Sequence, residues 1–175
     1  MGWSTEARGV VSARAAPRTG IVPRARDLPL AILLQRGAGI ARWPVDTRRV
    51  RRWIGAAQEV PLSLVVRLVG ELEAGELNRR WRGRDAACNV LTFAYSPPPA
   101  LEADIVVCWP VVQREARQQK KPVEHHLMHL IVHGCLHACG LDHEEDEQAD
   151  TMEALEGQIL RRFRISNPYG TIRTP

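Results

Sequence analysis

Apolar and polar positions change period several times along this chain, and each change marks an element. Val50, Trp53, Ile54 and Ala57 recur at i, i+3, i+4 and i+7 behind Asp46, a residue type suited to an N-cap. The spacing predicts an amphipathic helix. Residues 31–35 (AILLQ) and 62–68 (LSLVVRL) are short, apolar and partly alternating, the pattern of strands. Residues 70–80 read as a short helix, and 88–95 and 104–109 as two further strands. Between those two strands, Ser96-Pro97-Pro98-Pro99 admits neither a helix nor a central strand. Pro122 suits a first helical turn and Glu124 puts negative charge where a helix dipole favours it, so another helix opens there. A last helix carries the stripe Ala149, Met152, Leu155, Ile159, Leu160 and Phe163. Its acidic start, Glu144 to Glu147, and its basic end, Arg161, Arg162 and Arg164, both match the dipole. Strands interspersed with helices imply an α+β or α/β arrangement, a small mixed β-sheet with helices packed on it.

Composition narrows the class. At 175 residues the chain is one domain, large enough to bury a core without disulfides. Cys88, Cys108, Cys135 and Cys139 form no CxxC pair and fit reduced thiols. No apolar run approaches a membrane span and no signal-peptide core is present, so the expectation is a soluble, cytoplasmic protein without a membrane partner. Of the net charge of +4, residues 1–27 carry +3. That Arg-, Ala-, Gly- and Pro-rich stretch reads as a disordered or non-native extension. The expected fold occupies 28–168, with a loose tail at 169–175. Arg48, Arg49, Arg51 and Arg52 are either a solvated helix face or a sequence-blind phosphate patch, and the sequence leaves both open.

The chemistry concentrates between His133 and His143. On a helix, His133 and His137 project from one face about one turn apart and can grip one ion. Gly140 can take φ > 0 and end the helix, letting His143 return to the same ion. Three neutral imidazoles leave Zn2+ one open position, the arrangement of catalytic zinc. His129 lies eight residues from His137, about 12 Å of rise, too far for one ion to bridge. His125 and His126 read as ordinary residues, and Cys135 and Cys139 fall on the apolar face with Leu127 and Ile131. His-x3-His-x5-His is also the spacing of zinc peptidases, which place a glutamate base directly after the first histidine. Here that position is Gly134, which cannot act as a base. Asp142, beside a ligand, is a candidate acceptor for an imidazole N–H or a turn residue.

A second constellation holds Arg79, Arg80, Arg82 and Arg84 around Trp81, donors for phosphate oxygens beside a face for an unstacked base. A plain basic turn is the alternative. The motif His-Gly-x-x-His-x-x-Gly-x-Asp-His from His133 resembles that of the YbeY family of bacterial rRNA maturation factors, single-strand-specific endoribonucleases. So does the run Leu77, Asn78, Trp81, Arg82, Gly83, Arg84, Asp85 followed by Asn89, Val90, Leu91, Thr92 and Phe93. The resemblance covers roughly residue 30 to the C-terminus. Trp81, Cys88 and Ala103 depart from the family's usual tyrosine, threonine and glycine, away from the histidines and Arg82.

The resemblance implies a sheet of about four strands with the metal helix central, and Arg82 as the functional arginine. It implies zinc-dependent cleavage of single-stranded RNA in rRNA maturation, at the 16S 3′ end, and in ribosome quality control. The implied partners are rRNA and the small ribosomal subunit or its assembly factors, not DNA. No general base is apparent; a zinc-activated water or the RNA 2′-OH are both open as nucleophile. Two other classes remain from the sequence: a metallopeptidase or other zinc hydrolase, and an assembly factor whose metal only holds the fold.

Overall fold

Two apolar strands, β1 (Leu30–Arg36) and β2 (Leu62–Val69), run parallel and are joined through helix α1 (Thr47–Ala57). A computed structural model describes residues 28–96, 100–141, 146–166 and 168, with backbone alone at 146 and 147. Asp46 caps α1 by accepting from the Arg48 backbone N–H at 2.8 Å. Val50, Trp53, Ile54 and Ala57 are its buried stripe, the periodicity read from the sequence. Helix α2 (Glu71–Arg82) leads to β3 (Val90–Ala94), which turns back on β4 (Leu101–Cys108). The sheet order is β1-β2-β4-β3, with β4 parallel to β2 and β3 antiparallel at the edge. It is the small mixed sheet of an α+β fold, with four strands.

Both faces of the sheet are covered, so its central strands are apolar on both sides. Leu64, Val66, Leu68, Ile105 and Val107 meet Leu127, Ile131, Cys135, Ile159 and the α1 stripe in the main core. Val69, Val106, Cys108 and Leu91 face the other way, against Ala74 and Val111. Each such aliphatic side chain contributes about 1.5–3 kcal/mol by leaving water.

Three helices follow β4: α3 (Trp109–Gln118), α4 (Val123–Ala138) and α5 (Asp146–Arg162). Helix α4 is buried on most sides, from Leu127, Met128 and Leu130 to Cys135, Leu136 and Ala138, and packs on α1, α3, α5, β3 and β4. It is the central helix. Gly140 (φ 86°) ends it: its N–H donates to the His137 carbonyl at 2.9 Å and that of Leu141 to the Leu136 carbonyl at 3.2 Å.

The strand expected over 104–109 ends at Cys108, Trp109 opens α3, and the sequence pattern assigns nothing to the rest of that helix. Its signals are weak: Pro110 in the first turn, then Val111, Val112 and Ala116, too few apolar positions to establish a period. No helix among the described residues is long and apolar enough to cross a membrane. The four cysteines are thiols. The expected extension 1–27, the prolines 97–99, Asp142 with His143, Glu144 and Glu145, and the tail 169–175 lie outside the described residues.

Candidate active site

His133 and His137 are one turn apart near the C-terminal end of α4, and their Nε2 atoms approach to 3.1 Å. Two nitrogens held about 2.0–2.1 Å from one tetrahedral ion would stand about 3.3–3.4 Å apart. The pair therefore fits a shared ion with almost no rearrangement. Other donors are held away: Cys135 is fully buried and burial pushes its thiol far up, out of the thiolate form a metal binds.

The other nitrogen of His133 faces a residue that the sequence reading placed among no candidates. Glu156, on α5, has no exposed surface; its Oε2 lies 3.3 Å from His133 Nδ1 and its Oε1 lies 2.8 Å from His129 Nε2. Burial alone would raise this carboxyl, but the hydrogen bonds from His129 and His133 and their electrostatic attraction outweigh it and hold it down to about 2. One signal was available: Glu156 interrupts the apolar stripe between Met152 and Ile159. His129, His133 and Glu156 form a group able to hold a metal, with ligand atoms all within 4.8 Å of one another. His133 thus presents one nitrogen to His137 and the other to Glu156.

A cleft of about 640 Å³ opens over the histidine pair. Its walls bring His133 and His137 together with Arg82, Arg84, Asn78, Cys88 and Asn89. Arg82 is the last residue of α2 and Gly83 (φ 66°) turns the chain immediately after it. The Asn78 amide, buried, donates to the Ala86 carbonyl at 2.6 Å and ties the 83–89 loop to the helix. Arg82, at the end of the helix, and Arg84, in that loop, both line the cleft. Arg79, Arg80 and Trp81 are exposed in the last turn of α2 and do not line the cleft; Trp81 packs edge-on against Phe93, and Arg80 lies over the indole. Cys88 is also in the wall, where burial pushes its thiol up despite Arg82 and Arg84, so it stays protonated at neutral pH.

Gly134 faces the sheet. A Cβ there would come within 3.0 Å of Thr92 Oγ1 and Ile105 Cδ1 and within 3.1 Å of Ile105 Cγ2. The absence of a side chain lets α4 lie close on β3 and β4. No glutamate base of the peptidase kind would fit at this position.

Behind the cleft, α3 fastens its two walls. The Asn89 amide donates to both Glu115 carboxylate oxygens at 3.1 and 3.3 Å, and Glu115 Oε2 lies 2.7 Å from Nε2 of the buried His126. Burial lowers the His126 pKa more than Glu115 raises it. The ring is therefore neutral and donates its Nε2–H; Nδ1, which has no partner among the described residues, carries no proton.

The model of the family described as Endoribonuclease YbeY matches residues 45–164. A protein of that name from Aromatoleum aromaticum is 48% identical over 143 residues, covering 80% of this chain and 92% of its own. Another, from Nitrosomonas eutropha, is 51% identical over 119 residues, covering 68% of this chain and 84% of its own. A solution structure from Thermotoga maritima shares the fold at a TM-score of 0.50 and 23% identity, covering 82% of this chain and 100% of that one.

Proposed function

We infer, from the premise that the chain belongs to the YbeY family of endoribonucleases, that it is an endoribonuclease, a hydrolase acting on RNA phosphodiester bonds. The observation that supports this best is the meeting of His133 and His137 with Arg82 and Arg84 across one cleft. Phosphodiester cleavage needs charge relief on the phosphate oxygens and a centre that activates the attacking group, and the two walls offer one each.

We propose Zn2+ as the ion, held by His133 and His137 with His143 as third ligand. When bound, it supplies Lewis acidity and lowers the pKa of water towards neutrality. Glu156 accepts the Nδ1–H of His133, which leaves Nε2 as the lone-pair nitrogen aimed at the ion. Arg82 binds the non-bridging oxygens and neutralises charge as it develops on the phosphorus; Arg84 orients the adjoining phosphate. Arg79, Arg80 and Trp81, outside the cleft lining, serve the flanking strand. Asp142 is proposed as an outer partner of a ligand imidazole. We propose single-stranded rRNA as substrate, 16S 3′-end maturation and ribosome quality control as the process, and the small subunit or its assembly factors as partners in the cytoplasm.

Cleavage of a single-stranded RNA by metal-loaded protein, beside folded Arg82→Ala and His137→Ala, tests this reading. Arg82→Ala should lose about 10²–10³ in kcat, the usual effect of removing one donor to a developing anion. His137→Ala should be inactive. A 2′,3′-cyclic phosphate product would assign the attack to the 2′-OH, whereas a linear end formed without it would assign it to water. Equal cleavage by all three proteins would sink the proposal.

A further inference from the structure

Three helices of this chain end in the same motif, one amide bonding back five residues and its predecessor bonding back three, around a residue at positive φ. At the end of α4 that residue is Gly140. At the end of α3 it is Lys120 (φ 51°), and at the end of α5 it is Arg164 (φ 60°). These two are the only non-glycine residues at positive φ among the described residues. A Cβ strains this conformation, and such strain persists where the surroundings or a function demand it.

Both basic residues line adjoining cavities, which share His125 and Ile165. The first, about 270 Å³, lies between α1 and the end of α5 and holds Arg49, Arg52, Arg162 and Arg164. The second, about 230 Å³, holds Lys120 and Lys121 and reaches His129. No described carboxylate lines either one. Glu124 pairs with Arg49 at 2.5 Å, but Arg52, Arg162 and Arg164 make no ion pair with a described residue. Arg52 lies over the ring of Phe163, 5.9 Å from its centroid, and Trp53 is buried, so neither aromatic offers a bare face for a base. The trough presents charge without stacking surface. That suits a phosphate backbone read without regard to sequence.

We propose that this trough is a second RNA-binding surface, which holds the phosphate backbone of a strand whose scissile bond lies in the cleft. The proposal rests on the endoribonuclease reading. His125, shared by both cavities, and His133, in the cleft wall, are eight residues apart on α4, about 12 Å of rise, which sets the scale that a strand joining the two places must span.

The test compares wild type with Arg162→Ala/Arg164→Gly on two fluorescent oligouridylates, one long and one short enough to fill only the cleft. Glycine suits the position of Arg164, so the variant should keep or raise its thermal midpoint. Its affinity for the long RNA should fall roughly tenfold. Its log–log salt slope should become shallower by about 1.4, at about 0.7 per phosphate contact on a single strand. Cleavage of the short RNA should be unchanged. Identical binding of the long RNA by both proteins overturns the trough while leaving the nuclease intact. An equal loss on both RNAs overturns it too, because the damage then lies in the cleft. Labelled polyglutamate bound by wild type and lost by the variant, with RNA binding untouched, would assign the surface to an acidic protein instead. A wild type that neither binds nor cuts RNA removes the endoribonuclease reading and the trough together.

Discussion

Glu156 decides how His133 can work. A fully buried carboxylate is costly unless its oxygens are paired, and here they meet His129 and His133. Replacing it with glutamine keeps the shape but removes the charge that fixes the imidazole tautomer. Glu156→Gln should weaken zinc binding about 10- to 100-fold, measured by competition with a chromophoric chelator. The same assay places the ion. His137→Ala should abolish binding and His129→Ala should leave one ion per chain. The reverse result would put the metal between His129, His133 and Glu156, the group whose ligand atoms also lie close together. The sequence made His133 and His137 legible because a helix fixes i, i+4 neighbours on one face. The break that Glu156 makes in the α5 stripe does not say which histidines it meets, because it reaches His129 and His133 from another helix.

The elements hold these residues through two contacts that local sequence does not announce. The first is α4 against β3 and β4, where Gly134 faces Thr92 and Ile105. Alanine there gains up to about 1 kcal/mol of helix propensity but overpacks a rigid contact, at about 1–3 kcal/mol. Gly134→Ala should therefore be destabilised by about 1 kcal/mol in urea unfolding; a more stable variant would mean the sheet yields easily. The second contact is the chain from Asn89 through Glu115 to His126, joining the loop before β3 to α3 and α4. His126 has a lowered pKa in the fold, so below its ordinary value the unfolded state binds the proton more readily. This contribution is complete above about pH 6.5 and is lost as pH falls through that value towards the folded pKa. Over pH 7.5 to 5.5 the thermal midpoint of wild type should fall more than that of His126→Gln, whose amide can still donate to Glu115. Parallel curves would mean that His126 is not the titrating group.

At the scale of the whole molecule, the core and the site are separable. Leu64, Ile105, Leu127, Ile131 and Ile159 pack without help from a metal, and the histidine pair sits at one end of α4 beside the cleft. Treatment with a chelator should stop RNA cleavage yet leave a cooperative thermal transition. The loss of unfolding free energy should be no more than ligand linkage allows, about 4 kcal/mol for an ion at a thousand times its Kd. Loss of the transition itself would favour a metal that only holds the fold.

The sequence by itself determined the class of fold, the capped α1 stripe, the positive-φ stop at Gly140 and the pairing of His133 with His137. These depend on neighbours within a turn or a strand, where spacing maps directly onto direction. Tertiary structure alone decided the sheet order, the presence of α3, the use of Glu156 and the separation of Arg82 and Arg84 from Arg79, Arg80 and Trp81. It also placed the arginines of α1 beside those that end α5. Each of these is a contact between segments far apart in the chain, and the period of a single segment carries no record of which distant partner will cover it.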